Sequence, residues 1–331
     1  MPETLEKKLI FKDNREMVAV LGKNDEYLKL MDDPECRIIP RGNELLLTGT
    51  EAALRRMERA FSELLYLYRQ GLPITTHDVT YTLKLVRDGK EEALHQLYTD
   101  TVITTYRGKQ VKAKTLGQWQ YLKTIGENQM TIALGPAGKT YLAVAMAVKA
   151  LKNHEVERII LTRPAVEAGE KLGFLPGDLQ EKVDPYLRPL YDALYEMLGM
   201  ESFQKYLTRG TIEVAPLAYM RGRTLSDAFI IIDEAQNTTA EQMRMALTRF
   251  GFGSKLVVTG DDSQVDLPPG KESGLTNAAY VLQGIPGIGI VHFTDGDVIR
   301  HEIVAAIIRA YKKYDNAKKK GRDGYDRHTR K

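Results

Sequence analysis

The chain has 331 residues, of which 43% are hydrophobic and 27% are charged, as is ordinary for a globular protein of about two domains. It contains no apolar run of the roughly 18 residues that would span a bilayer. The first residues lack the apolar region of a secretory signal, and the single cysteine, Cys36, excludes an intrachain disulfide. We therefore expect a cytoplasmic protein with no membrane partner.

The net charge of +3 is unevenly distributed. Nine Lys or Arg and three Asp lie between Lys312 and Lys331, so the positive excess is at the C-terminal end. A basic tail at residues 315–331 is typical either of a disordered, solubilising end or of an arm that contacts nucleic-acid phosphates. The sequence leaves both interpretations open.

Residues 1–67 are predicted to form a small α+β domain. The expected elements are strands at Lys8–Lys12 and Met17–Leu21, a helix at Glu26–Met31, a hairpin around Arg41-Gly42-Asn43 and a helix at Glu51–Tyr66. Their order resembles a KH-like RNA-binding module. The loop corresponding to the Gly-X-X-Gly clamp of that module reads Gly22-Lys23-Asn24-Asp25 and lacks the second glycine. An RNA contact and a simple assembly domain are both compatible with this pattern.

Residues 68–128 are predicted to form connecting helices and a basic hairpin. Helical patterns cover Tyr81–Arg87 and Glu91–Leu97, and Arg107-Gly108-Lys109 is the expected hairpin turn. No acidic residue lies close in sequence to the four cations of this hairpin, which are Arg107, Lys109, Lys112 and Lys114. The hairpin is therefore either a solvated ribbon or a surface that lies along phosphates.

Residues 129–314 alternate between apolar strands and helical patterns. The predicted strands are Thr131–Leu134, Arg158–Leu161, Ile212–Ala215, Phe229–Ile232, Lys255–Val258 and Gly289–Phe293. The predicted helices are Tyr141–Lys152, Pro185–Leu198, Ala240–Phe250, Leu275–Leu282 and Asp297–Tyr314. Most of the strands are continuously apolar, as expected where helices cover both faces of a parallel sheet. This pattern predicts an α/β fold with a doubly wound parallel sheet.

A phosphate-binding turn follows the first of these strands. Thr131–Leu134 runs into the glycine turn that ends in Lys139 and Thr140, and Tyr141 opens the next helix. Backbone N–H groups at a helix N-terminus bind phosphate, a lysine reaches the β and γ oxygens, and a hydroxyl binds Mg²⁺. Strand, turn and helix together predict a nucleotide-binding loop, in which the residues from Gly135 to Tyr141 contact the nucleotide.

The loop is shorter than the usual pattern. Four residues normally separate the first glycine from the final Gly-Lys, whereas only Pro136 and Ala137 separate Gly135 from Gly138 here. The loop is therefore two residues short, and it offers fewer N–H donors to a β-phosphate.

Two acids follow a second buried strand. Phe229–Ile232 leads into Asp233 and Glu234. In a nucleotide-hydrolysing sheet, Asp233 would hold Mg²⁺ through water and Glu234 would polarise the attacking water. The alternative is that both acids merely favour a helix N-terminus.

Three further polar positions lie at or near the same predicted site. Gln264, after the strand Lys255–Val258, is placed to contact a γ-phosphate, although a plain turn is the alternative. Arg163 follows another strand and would contact either nucleic acid or the core. Gln118, upstream of the loop, could pair with the two polar atoms on the edge of adenine.

These segments occur in the order used by superfamily 1 helicases, and the chain resembles the PhoH-like family of phosphate-starvation-inducible ATPases, which have a RecA-like core. The segments that carry the resemblance are Gly135–Thr140, Thr162–Leu179, Asp233–Asn237 and Gly260-Asp261. The family loop reads Gly-Pro-Ala-Gly-Thr-Gly-Lys-Thr, so this chain lacks one Thr-Gly pair.

The resemblance implies a cytoplasmic, hexameric protein that binds ATP and Mg²⁺ and acts in RNA metabolism. It also implies association with an endoribonuclease of ribosomal RNA maturation. In such rings an arginine of a neighbouring subunit often completes the site, and Arg221 and Arg223 are candidates. Arg300 would act within its own subunit.

Two other functions remain compatible with the sequence. The first is an RNA-binding assembly factor whose nucleotide site is idle because its loop is short. The second is a nuclease that holds two metal ions through the carboxylates of Asp233, Glu234, Asp261 and Asp262.

Overall fold

The computed structural model describes residues 4–90, 92–136, 138–164, 179–268 and 270–299, together with positions 303, 304, 307, 310, 311 and 314. Contacts between residues divide the chain into two compact units, Met1–Asp297 and Val298–Lys331. All the described positions from 303 onward in the second unit are helical, in agreement with the predicted C-terminal helix. The predicted basic tail, residues 315–331, lies outside the described residues.

The first unit begins with a small α+β domain. Its three antiparallel strands have the order β1-β3-β2. In chain order the elements are β1 (Leu5–Ile10), α1 (Asn14–Leu21), β2 (Cys36–Arg41), β3 (Glu44–Gly49) and α2 (Glu51–Arg69). Leu45 and Leu47 of β3 pack with Phe61 and Leu64 of α2 in one buried cluster. The predicted domain type and hairpin are confirmed, and the KH resemblance stays a prediction.

Two predicted elements of this domain are wrong. Met17–Leu21 belongs to helix α1, because the Asp13 carboxylate accepts hydrogen bonds from the backbone N–H groups of Arg15 and Glu16 and so caps a helix. A short apolar run does not by itself distinguish a helix from a strand. Residues 26–30 form successive turns instead of a helix.

The connecting segment contains three helices and a hairpin. They are α3 (Thr76–Arg87), α4 (Glu92–Thr99), β4 (Thr101–Thr104), β5 (Gln110–Lys112) and α5 (Leu116–Glu127). The predicted hairpin is confirmed, whereas α5 was not predicted as a helix. Thr115 caps α5 by accepting a hydrogen bond from the backbone N–H of Gln118.

The rest of the first unit is built around a six-stranded sheet. Its strands are β6 (Met130–Leu134), β7 (Arg158–Arg163), β8 (Ile212–Pro216), β9 (Ala228–Ile232), β10 (Lys255–Gly260) and β11 (Ile288–His292). The helices that connect them are α6 (Lys139–Lys152), α7 (Leu179–Leu198), α8 (Met200–Thr208), α9 (Ala240–Leu247) and α10 (Gly274–Val281). All six predicted strands are therefore found, with ends that move by one or two residues.

All six strands are parallel and have the order β11-β6-β10-β9-β7-β8. The buried clusters on the two faces explain why the strands are continuously apolar: α5, α6 and α7 pack on one face, and α9 and α10 pack on the other. The predicted doubly wound α/β fold is confirmed. Because the strands are parallel, the segments that follow β6, β7, β9 and β10 meet at one edge of the sheet, where such folds bind ligands.

Candidate functional site

The glycine turn after β6 depends on two glycines. Gly135 has a φ of +102° and packs so closely that a Cβ there would collide with the carbonyl oxygen of Phe293. Gly138 has a left-handed φ of +78° and begins helix α6 without any side-chain cap. The first-turn N–H groups of a 14-residue helix therefore face the turn, which is an arrangement that attracts anions.

The Lys139 side chain is folded back against this turn. Its ammonium donates a hydrogen bond to the carbonyl of Gly135, and it lies 5.8 Å from the centre of the Phe293 ring. Burial lowers the pKa of Lys139, while the negative charges of Asp261, Asp233, Glu234 and, more weakly, Asp262 oppose that shift. The predicted phosphate-binding lysine thus lies within electrostatic reach of Asp233 and Glu234, the acids predicted to act with it.

Asp233 is the best-connected group of the site. Its Oδ1 accepts hydrogen bonds of 2.6 Å from both Thr140 Oγ1 and Thr259 Oγ1. Its Oδ2 accepts bonds of 2.8 Å from Nε and 2.6 Å from NH2 of Arg163. Only 3% of its side chain is exposed. The two residues predicted to bind the metal, Thr140 and Asp233, are therefore in direct contact.

The backbone of Glu234 has an uncommon conformation. Its φ of +53° and ψ of +36° lie in the left-handed region, which is uncommon for a residue with a side chain and clusters at functional sites. Gln236 Nε2 donates a 2.7 Å hydrogen bond to Glu234 Oε2, and Gln236 Oε1 accepts one of 3.1 Å from the backbone of Asp261. Gln236 therefore holds the predicted base next to the segment that follows β10.

The segment after β10 is tied together by Asp261. Its Oδ1 accepts hydrogen bonds from the Ser263 backbone and hydroxyl, and its Oδ2 accepts one from Gln264 Nε2. Burial acts to raise the pKa of Asp261, but these hydrogen bonds outweigh it and the pKa lies below its usual value. The Asp233 and Asp261 carboxylates thus accept hydrogen bonds from different groups of the protein. The described residues also contain no group of three or more His, Cys, Asp or Glu that could hold a metal.

Gln118 lies beside the glycine turn. A Cβ on Gly138 would be 3.3 Å from Gln118 Nε2, and Gln118 Oε1 accepts a 2.9 Å hydrogen bond from the backbone of Lys114. The start of α5 is in turn anchored to the segment after β11, because Asp297 Oδ1 accepts a 3.1 Å bond from the backbone of Gly117. The adenine contact predicted for Gln118 stays a prediction.

Tyr141 is turned towards the basic hairpin. Its hydroxyl donates a 2.9 Å hydrogen bond to Glu196 Oε1, which also accepts a 2.9 Å bond from Lys109 Nζ. Lys109 therefore has an acidic partner 87 positions away in the chain, which sequence proximity did not indicate. The role predicted for Tyr141 in nucleotide binding stays a prediction.

The structure places the remaining predicted residues as follows. Arg223 forms two hydrogen bonds with the Glu213 carboxylate, of 2.6 and 2.7 Å, whereas Arg221 is exposed. Pro136 lies within the turn and is partly buried. Ala137, Arg300 and the family segment from Ala165 to Asp178 lie outside the described residues.

Sequence reasoning missed three contributions to the site. Thr259 binds Asp233, Gln236 binds Glu234, and Arg163 binds Asp233. Each of the three is a polar residue at the end of a buried strand or just beyond one. A polar residue at or near the end of a buried strand was the only signal in the sequence that these residues belong to the site. Their hydrogen-bond partners could be identified only from the folded sheet.

These residues match Mg²⁺ and phosphate in type. The site combines an ammonium, helix N–H groups, a threonine hydroxyl and two carboxylates, which together are the donors used for Mg·nucleotide in phosphoryl transfer. The hydrogen bond from Thr140 to Asp233 places the two groups predicted to bind the metal side by side. The departure from the usual site is the short turn, in which the Lys139 ammonium bonds to the chain's own carbonyl.

Comparison with known proteins agrees with this geometry. The PhoH-like protein family matches residues 110–312. The chain is 50% identical over 305 residues to a PhoH-like protein of Bacillus subtilis, covering 91% of this chain and 96% of that protein. It is 52% identical over 303 residues to a PhoH-like protein of Mycobacterium bovis, with 90% and 86% covered. Protein PhoH of Escherichia coli is 46% identical over 206 residues, with 61% and 58% covered.

Within the part of the chain that the structure describes, no helix has both the length and the apolar character needed to cross a membrane. The strand order, the glycine turn and the paired acids are the features that the matched region contains. From the family match and these identities, we conclude that the chain belongs to the PhoH-like protein family.

Proposed function

We propose that this protein is a Mg²⁺-dependent ATPase whose turnover is coupled to RNA binding or remodelling. The observation that carries the proposal is that the segments after β6 and β9 bring Lys139, Thr140, Asp233 and Glu234 to one edge of the sheet. Membership in a family of generally ATP-binding proteins supports ATP as the bound nucleotide. The small N-terminal domain and the basic hairpin support an RNA partner.

In this proposal each residue has a distinct task. Lys139 and the first-turn N–H groups of α6 neutralise the phosphate charge, and Thr140 and Asp233 hold Mg²⁺. When bound, Mg²⁺ supplies further neutralisation of that charge. Glu234, held by Gln236, orients and polarises the attacking water. Gln264, on the loop after β10, contacts the terminal phosphate.

The proposal also includes an oligomeric state and a protein partner. We propose a cytoplasmic hexamer in which a neighbouring subunit supplies an arginine. Arg221 is the better of the two candidates, because Arg223 is bound to Glu213. An endoribonuclease of ribosomal RNA maturation is the proposed protein partner.

Glu234→Gln tests the catalytic assignment. The amide keeps the shape of the side chain but cannot accept a proton, so turnover should fall by about 100-fold or more while Mg·ATP affinity is unchanged. Steady-state phosphate release and equilibrium nucleotide titration measure the two effects. Glu201→Gln, on the exposed surface of α8, is the control and should retain full turnover. Unchanged hydrolysis in Glu234→Gln would refute the assigned role.

A second candidate is an RNA-binding assembly factor whose nucleotide site is idle. The observation that favours it is the short turn, closed by the hydrogen bond from the Lys139 ammonium to the Gly135 carbonyl. Equilibrium titration of the wild-type chain separates the two functions. No Mg·ATP binding at millimolar concentration, combined with retained RNA binding, would select this candidate.

Lys139→Ala tests the phosphate-binding loop itself. Loss of the ammonium should weaken ATP binding by about tenfold or more, since a hydrogen bond to a charged group contributes about 1.5–3 kcal/mol. Lys152→Ala, an exposed lysine at the opposite end of α6, should bind ATP like the wild type. Equal affinity in Lys139→Ala and Lys152→Ala would show that the loop does not bind phosphate.

A further inference from the structure

The Asp233 carboxylate is saturated by the protein's own groups. Two threonine hydroxyls occupy Oδ1, and two nitrogens of the Arg163 guanidinium occupy Oδ2, all at 2.6–2.8 Å. With 3% of the side chain exposed, almost no part of the carboxylate faces solvent. A cation that approaches this carboxylate must therefore replace a bond that already exists.

Arg163 reaches Asp233 because their strands are neighbours. Strand β7 pairs with β9 in parallel, with Thr162 opposite Ile232, so Arg163 at the end of β7 lies level with Asp233, which follows β9. The Arg163 side chain is 14% exposed, and its NH2 also lies 3.5 Å from Glu234 Oε1. One guanidinium thus lies between the residue proposed to hold the metal and the residue proposed to polarise water.

We infer that Arg163 is the resident counter-cation of Asp233, and that a divalent cation binds only when the guanidinium moves from Asp233 towards Glu234. The inference deepens the proposed function, on which it rests for the identity of the cation as Mg²⁺. The displacement itself depends only on the contacts of Asp233.

The charges explain why the two cations exclude each other. A buried carboxylate carries one negative charge, and one guanidinium balances it. A guanidinium together with a divalent ion would bring three positive charges to that one carboxylate. Cations held close together in a poorly hydrated site repel strongly. The leaving guanidinium has a second carboxylate within 3.5 Å, so the arrival of the metal and the pairing of Arg163 with Glu234 occur together.

Arg163 is therefore a positioning residue that acts through two carboxylates. Before the metal binds, it orients the Asp233 carboxylate. After the metal binds, it holds Glu234. Nucleotide without metal leaves the Arg163–Asp233 pair in place, so the site distinguishes the free nucleotide from its metal complex.

Metal binding without nucleotide is the most direct test. Mn²⁺ serves as the probe, because it shares the oxygen ligands of Mg²⁺ and electron paramagnetic resonance measures its free concentration. Mn²⁺ should bind to Arg163→Gln at least about tenfold more tightly than to the wild type. An affinity change of this size is usual where two ligands are coupled. Adding Asp233→Asn to Arg163→Gln should abolish the gain. An unchanged Mn²⁺ affinity in Arg163→Gln would overturn the inference.

Two further variants separate displacement from a general structural effect. Arg69→Gln breaks another two-bond arginine–carboxylate pair, with Glu16 of the N-terminal domain, and should leave Mn²⁺ binding unchanged. Arg163→Lys keeps the charge but loses the planar fork, so its Mn²⁺ affinity should lie between those of the wild type and Arg163→Gln. If Arg163→Gln does not fold, the lysine variant decides, and a wild-type affinity there counts against displacement.

ADP titrations with Mg²⁺ or with a chelator distinguish this inference from the proposed function. Adding Mg²⁺ should raise the ADP affinity of Arg163→Gln by a larger factor than it raises that of the wild type. Without metal, the two proteins should bind ADP equally well. If no variant binds ADP but Mn²⁺ binding tightens in Arg163→Gln, the proposed ATPase fails and the counter-cation role stands. If ADP binds normally and Mn²⁺ binding does not change, the counter-cation role fails alone.

Discussion

Inserting Thr-Gly between Gly138 and Lys139 is expected to strengthen Mg·ATP binding by about tenfold or more, since each added hydrogen bond to a charged phosphate contributes about 1.5–3 kcal/mol. The insertion restores the family loop Gly-Pro-Ala-Gly-Thr-Gly-Lys-Thr. It adds two backbone N–H groups, and it lengthens the turn whose ends are now joined by the Lys139 ammonium and the Gly135 carbonyl. Isothermal titration with Mg·ATP measures the change.

A matched variant tests the cause of this gain. The same insertion in a Lys139→Ala background should recover only part of the affinity, because the added N–H groups act together with the ammonium on the same phosphates. Turnover should rise with affinity in the insertion variant that keeps Lys139. If the insertion leaves affinity unchanged, loop length is not what limits the wild-type site, and the idle-site candidate loses its main support.

Asp233→Ala is expected to lower the free energy of unfolding by about 3–5 kcal/mol, the usual loss when one partner of a buried ion pair is removed. The variant leaves the mostly buried Arg163 guanidinium without the carboxylate to which it makes its shortest bonds. It also leaves the hydroxyls of Thr140 and Thr259 without their acceptor. Both oxygens of this carboxylate are bonded within the protein, so its removal is expected to destabilise the fold. Urea unfolding at constant m-value measures the loss.

The control for this prediction is another arginine–carboxylate pair. Glu213→Ala breaks the pair with Arg223. Both side chains are about one-third exposed, so the loss of unfolding free energy should be only about 0–1 kcal/mol. Asp233→Asn, which keeps the shape and one acceptor oxygen, should fall between the two alanine variants. Equal stability of Asp233→Ala and Glu213→Ala would show that the network around Asp233 contributes little to the fold.

The sequence by itself determined the architecture of the core and the composition of the site. Continuous apolar runs such as Phe229–Ile232 indicate buried parallel strands, because only strands covered on both faces lack alternation. The parallel arrangement then brings Lys139, Asp233 and Gln264 to one edge, since residues that follow parallel strands meet there. These inferences use short stretches of chain and one general rule of topology.

The pairing of side chains was decided only by the tertiary structure. Arg163 and Asp233 are 70 positions apart, and Lys109 and Glu196 are 87 positions apart, so no local pattern relates them. Their contacts depend on strand order and register: β7 lies next to β9, and the hairpin lies near α7. The helix at Asn14–Leu21 was missed for a related reason, because a short apolar run suits either secondary structure until a cap and its packing select one. Local chemistry thus specifies which groups meet at the sheet edge, whereas long-range packing specifies which of them bond to each other.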